Sequence, residues 1–213
     1  KKHLQKEAAV LSRMILKYEK PKHHTFCGGK TEDVILLCNR NNRQITARQI
    51  QTGEVSMLAG GVRIQGADLQ EIAKIRTWQE LLFPLHGKVE REYTAEAAAQ
   101  TVWNTEIMEL LQSLHEEKGA FLFRIEYKGS LDERKKSEFV KKTAALLEEK
   151  SERMLINSIS DYEIEIRIVE SKKGGYLPFL RLYTMEDERF AYRKESIAAS
   201  IAPVNAALIM QIA

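Results

Sequence analysis

Phe121-Leu122-Phe123-Arg124-Ile125-Glu126-Tyr127-Lys128 is the stretch on which the reading of the fold turns. With apolar residues at 121, 122, 123, 125 and 127 and charged ones at 124, 126 and 128, it reads as a strand. Residues 132–150 follow as a helix, with Phe139, Thr143, Leu146 and Leu147 turned inward. Residues 162–168 (Tyr-Glu-Ile-Glu-Ile-Arg-Ile) alternate strictly and form a half-buried strand. Gly174-Gly175 then turns the chain into a further strand over 176–183. Phe190-Ala191-Tyr192-Arg193 leads into a terminal helix that Pro203 kinks or restarts. The order is β-α-β-β-α.

Working outward, residues 94–118 read as a helix capped by Thr94, with Val102, Trp103, Ile107, Leu110, Leu111 and Leu114 as its core stripe and Gly119 as its end. A charged connector, 88–93, precedes it. Before that lie expected strands at 34–38, 44–50, 54–58 and 62–64. Asp68 caps an expected helix running to Phe83. Residues 3–19 have helical spacing, with Leu4, Ala8, Leu11, Ile15 and Tyr18 on one face and a basic stripe opposite. The expected fold is α/β (α+β) in two parts, with the boundary between 87 and 119.

Of 213 residues, 44% are hydrophobic and 30% charged, the balance of a globular chain with a core. No apolar run reaches the roughly 18–20 residues needed to cross a bilayer, and the opening residues show no signal peptide. Two cysteines, Cys27 and Cys38, are too few for a disulfide scaffold, which points to a reducing cytoplasm. Net charge is +3, split as +6 over residues 1–92 and −3 over 93–213. That basic excess is modest, and such an asymmetry is more often a solvated surface than a polyanion-binding one. No GxGxxG, Walker loop, HExxH or nucleophile elbow is present. His23, His24, Cys27 and Cys38 offer nitrogen and sulfur ligands, but Cys38 sits in an apolar run where cysteine behaves as a small hydrophobe, so no metal is expected. The missing initial Met and the uncapped apolar stretch 197–213 suggest a piece of a longer protein.

Three motifs then join up: Phe123-Arg124-Ile125-Glu126-Tyr127-Lys128-Gly129-Ser130; the run from Asn157-Ser158-Ile159-Ser160-Asp161 to Arg167; and Arg189-Phe190-Ala191-Tyr192-Arg193-Lys194-Glu195 followed by Ala199-Ser200-Ile201-Ala202-Pro203. In order and spacing they resemble the THUMP domain of RNA-modifying enzymes, and more narrowly the THUMP half of a class I S-adenosylmethionine-dependent RNA methyltransferase. The resemblance covers about residues 94–213. Residues 30–86, including Ile75-Arg76-Thr77-Trp78-Gln79-Glu80-Leu81-Leu82, more loosely resemble the ferredoxin-like domain preceding THUMP. The implied organisation is an unplaced helix and loop at 1–29, a ferredoxin-like domain at 30–87, a connector and bridging helix at 88–119, and a THUMP domain at 120–213 ending where a catalytic domain would begin.

The resemblance implies RNA, either tRNA or rRNA, as partner, together with a C-terminal catalytic domain of the same protein. S-adenosylmethionine is expected only in that domain. This chain has neither the glycine-rich donor loop nor an Asn-Pro-Pro-Tyr motif, so no catalytic residue is expected here. RNA contact needs cations for phosphates and rings for unpaired bases. Candidates are Lys128, Arg134, Lys135, Lys172, Lys173, Arg189, Tyr192, Arg193 and Lys194, with Arg189-Arg193-Lys194 foremost. Each has a plainer role: Lys135 can solvate a helix face, Tyr192 can be core, and Lys172-Lys173 can be a wet hairpin tip. A protein-interaction or structural module without RNA contact, and a THUMP module of a tRNA thiolation or deamination enzyme, remain open alternatives.

Overall fold

A computed structural model describes residues 24–28, 32–191 and 201–212. The helix expected at 3–19 lies outside them. The chain runs β1 (Glu32–Leu37), α1 (Arg43–Arg48), β2 (Glu54–Leu58), β3 (Gly61–Ala67), α2 (Leu69–Ile72), β4 (Glu80–Pro84), α3 (Ala95–Trp103), α4 (Ile107–Leu114), β5 (Phe121–Lys128), α5 (Glu133–Lys150), β6 (Leu155–Asn157), β7 (Ile164–Glu170), β8 (Tyr176–Leu182) and α6 (Pro203–Ile212). It is an α+β protein. No described helix is long and apolar enough to cross a membrane.

The strands make one eight-stranded sheet in the order β2-β3-β1-β4-β8-β7-β5-β6. Strands β1 to β4 pair only antiparallel, and so do β4–β8 and β7–β8, whereas β5 pairs parallel with both β6 and β7. The sheet is continuous across the two expected parts, because β4 joins β8 through Phe83↔Leu180 and Pro84↔Phe179. One apolar core also runs through both halves, from Val34 and Ile72 to Phe123 and Leu147.

In β5, Phe121, Leu122, Phe123, Ile125 and Tyr127 are buried, and α5 packs against the strand. Helix α5 starts where the Asp132 carboxylate accepts the Lys135 N–H at 3.0 Å, and it buries Phe139, Thr143, Ala144 and Leu147. Thr94 caps α3 by accepting the Ala97 N–H at 3.1 Å. Ala95, Ala98 and Ala99 of α3 are buried, and these small side chains let α3 pack closely against α5.

Three local expectations are corrected. Residues 44–50 do not form a strand; α1 occupies Arg43–Arg48. Strands β1 and β2 both run opposite to β3, so they point the same way, and same-way strands need a crossover, which a helix supplies. The helix expected from 68 to 83 stops after Ile72, and β4 follows. Leu81, Leu82 and Phe83 are all buried, so their continuous apolar run is that of a strand covered on both faces. Lastly, the helix expected at 94–118 divides at Asn104–Glu106, where Thr105 bridges to Gly87.

Candidate nucleic-acid interface

Among the described residues, the expected RNA contacts do not form one site. Arg189 lies past one end of β8, and Lys172-Lys173 lie just before the other. Seven strand residues separate the two ends by about 20 Å.

At the first end, Arg189 is buried, which corrects its assignment as a phosphate contact. Its Nε and Nη2 donate to Asp187 at 2.7 and 2.6 Å, and its Nη1 donates to the Trp78 carbonyl at 2.9 Å. With Nη1 also donating to the Ile75 carbonyl at 3.4 Å, the guanidinium is committed to acceptors of the protein and is not presented to solvent. The hydrogen bond from Arg189 in turn holds the Asp187 carboxyl below its usual range. Tyr192, Arg193 and Lys194 lie outside the described residues. An open cleft of about 910 Å³ lies alongside, lined by His24–Gly28, Trp78, Leu81, Phe83 and the 181–189 segment. Exposed Glu186, Asp187 and Glu188 line it together with exposed Lys74.

The sheet face bearing Arg124 carries an ionic lattice that spans the β4–β8 junction. Glu165 accepts from Arg124 Nη2 at 2.6 Å and from Arg167 Nη2 at 2.7 Å. Glu80 accepts from Arg167 Nη1 at 2.6 Å and Arg181 Nη1 at 3.0 Å. Burial opposes the Glu165 charge, but the two arginine forks outweigh it and hold the carboxyl below its ordinary value. Arg124 also lies 4.1 Å over the Tyr162 ring. This lattice ties β4 to β7 and β8, and its arginines point at carboxylates rather than outward.

Five of the named cations share the second end. Lys128 closes β5 and pairs in register with Val169, three residues before Lys172. Arg134 and Lys135 sit in the first turn of α5. All three have acidic partners: Lys128 with Glu126 at 2.7 Å, Arg134 with Glu138 at 3.5 Å and Lys135 with Asp132 at 3.5 Å. Lys172 and Lys173 are exposed and have no carboxylate partner among the described residues. Their turn is held by Ser171 N–H donating to the Gly175 carbonyl at 2.9 Å and Gly174 N–H to the Ser171 carbonyl at 3.1 Å.

Sequence reasoning missed two neighbours of that turn. The connector 88–93 folds over it, so that a Cβ on Gly174 would stand 3.4 Å from the Arg91 carbonyl. The Tyr93 hydroxyl donates to the Ser171 carbonyl at 2.7 Å, and the ring is 52% exposed. Arg91 is exposed as well. Nothing in the sequence signals a contact between residues 91–93 and 171–174; only the fold brings them together.

As for cofactors and metals, no group of three or more metal-ligating side chains is found among the described residues. Cys27 is exposed, Cys38 is buried and both are free thiols; His24 is buried, with its Nδ1 2.9 Å from Glu163 Oε1. His23 lies outside the described residues. Between β5 and α5, a Cβ on Gly129 would collide with the Tyr127 hydroxyl and the Glu170 carboxylate.

No family model matches the chain, and no curated protein matches it by sequence. Solved structures do match by shape. TrmN from Thermus thermophilus aligns with a TM-score of 0.60 at 15% identity, over 84% of this chain and 54% of its own. A predicted N6-adenine-specific DNA methylase from Listeria monocytogenes aligns at 0.59 and 14% identity, over 86% of this chain and 49% of its own. The chain shares their fold and spans about half their length.

Proposed function

We propose that this chain is the RNA-recognition region of an RNA-modifying methyltransferase and is not catalytic by itself. The observation that carries the reading is the shared fold with TrmN over 84% of the chain. The motif order around Arg124, Arg167 and Arg189 supports a THUMP domain for the C-terminal half. The β-α-β-β-α-β order of β1 to β4, with sheet order β4-β1-β3-β2, supports a ferredoxin-like unit before it. S-adenosylmethionine and the catalytic residues then belong to a further domain, and tRNA or rRNA is the substrate.

The test is a filter-binding titration of the purified chain against bulk tRNA and a ribosomal RNA fragment at several salt concentrations. Saturable binding that weakens with salt is expected, because each neutralised phosphate releases counterions. A folded sample that binds neither RNA at low salt sinks the proposal.

A further inference from the structure

We propose that the β7–β8 hairpin tip and the connector over it form the RNA contact: Lys172, Lys173 and Arg91 hold phosphates, and the Tyr93 ring stacks one unpaired base. The inference rests on the reading of this chain as an RNA-recognition region and names its contact surface.

Four observations converge. First, the turn is built rather than merely solvated. Gly174 and Gly175 have φ of +98° and +72°, a left-handed conformation that side chains rarely adopt. Their bare backbone lets the Glu90–Arg91 main chain lie directly on the tip. The connector is fixed on its other side, where the Glu90 N–H donates to Thr101 Oγ1 at 2.9 Å and Asn104 Nδ2 donates to the Lys88 carbonyl at 3.0 Å. Second, cations with partners surround this end, whereas Lys172, Lys173 and Arg91 have none among the described residues. Third, the neighbouring carboxylates are largely engaged. Glu170 accepts from Tyr127 at 2.7 Å and from the Ser130 N–H at 2.8 Å, and Glu90 pairs with Lys88 at 3.1 Å. Glu92 is the exposed carboxylate left in the connector, against three free cations. Fourth, the Tyr93 ring is pinned in place. Its hydroxyl is held by Ser171, and it meets Tyr176 edge-on with centroids 5.7 Å apart. A large ring fixed beside three cations suits a base whose own phosphate lies within their reach.

Two variant classes separate charge from stacking. The probes are a 12-nucleotide oligouridylate and an RNA duplex of equal charge, titrated from low to moderate salt against the whole chain. K172A/K173A should weaken both probes about tenfold at low salt and make the log affinity against log salt slope shallower by about two units. R91A should remove about one unit. Y93L should weaken oligouridylate about tenfold, barely touch the duplex and leave the slope unchanged, while Y93F, which keeps the ring, should retain most of the binding. Circular dichroism confirms the fold of each variant, and the lysine pair carries the test alone if Y93L unfolds. Wild-type RNA binding with K172A/K173A and R91A unchanged in affinity and slope overturns this site and leaves the RNA-recognition reading intact. Failure of the wild type to bind either probe overturns both.

Discussion

The Arg189 guanidinium lies flat on the Trp78 indole, its central carbon 3.2 Å from the ring centroid. The two residues come from opposite halves of the sequence, and the stack closes the end of the sheet where β4 begins and β8 finishes. Trp78 also donates its indole N–H to the Ile72 carbonyl at 3.2 Å, so the ring is fixed at its edge before the arginine covers its face. Asp187 completes the clamp.

Arg189→Ala should therefore lower stability by about 2–4 kcal/mol, the range for breaking a buried, hydrogen-bonded charge cluster. Arg189→Lys should recover only part, because an ammonium cannot bridge Asp187 and the Trp78 carbonyl while lying flat on a ring. Urea denaturation measures both. RNA affinity and its salt slope should stay at wild-type values wherever the variant is folded. A folded Arg189→Ala protein of native stability that loses a unit of salt slope would return this residue to the RNA interface.

Glu165→Gln should cost about 3–5 kcal/mol, since it leaves Arg124 and Arg167 facing a neutral amide inside the lattice. The lattice also sets an acid limit. The Glu165 carboxyl is depressed in the folded state, so its stabilisation is complete above the unfolded value of about 4.3 and is lost as pH falls through the folded value. Asp187 is depressed likewise by Arg189 and acts in the same direction. Denaturation midpoints measured from pH 6 to 3 should fall steeply below about 4.3, and less steeply in Glu165→Gln. Equal slopes in the two proteins would contradict the assignment.

His115 adds a second step at milder pH. Burial depresses its pKa most, against an opposing bond to the Leu111 carbonyl at 2.7 Å. Its Nε2 lies 2.7 Å from Thr184 Oγ1 and accepts that hydroxyl in the neutral tautomer. His24 and Glu163 face it from the 24–28 segment and from the bend just before β7, and Glu117 lies close by. With the folded value below the unfolded one of about 6.5, the stability held above that pH is lost as pH falls through the folded value. Wild-type midpoints should begin to decline as pH falls below about 6.5, and His115→Gln should flatten that decline. A decline of the same size in the variant would show that His115 does not titrate there.

How much of this was legible in the sequence follows from where the information sits. β5 and α5 could be read because the short apolar run Phe121 to Phe123 passes into alternation at Arg124, Ile125, Glu126 and Tyr127, and Asp132 is a cap with its helix directly behind it. β4 could not, because a strand buried on both faces loses its alternation, and Leu81-Leu82-Phe83 then continues the helical count begun at Leu69. The seven residues around α1 were too few to tell period two from period 3.6; the crossover between β1 and β2 decided the matter. For the candidate site, cation type was legible but its partner was not. Arg189 and Lys172 look alike as letters, and only the fold turns one onto Trp78 and the other out beside Tyr93.

The hairpin tip yields the sharpest backbone test. Gly175 has φ of +72°, and a Cβ there would run into the Glu90 carbonyl. Gly66 has nearly the same φ, +74°, yet a Cβ on it would meet open space. The pair separates conformational strain from collision. Gly66→Ala carries strain alone and should cost about 1 kcal/mol. Gly175→Ala carries strain plus contact with main chain that Thr101 and Asn104 hold in place, so it should cost clearly more, about 2–3 kcal/mol. The connector has to lift to admit the methyl group, which stretches the Tyr93–Ser171 hydrogen bond. Tyr93 should then gain mobility, seen as narrowing of its ring resonances in the NMR spectrum of tyrosine-labelled protein. RNA affinity should fall in Gly175→Ala and stay unchanged in Gly66→Ala, although neither substitution removes a charge or a ring. If the two alanine variants are equally stable and bind RNA equally, the connector does not rest on the tip, and the arrangement of Arg91 and Tyr93 beside Lys172-Lys173 is wrong.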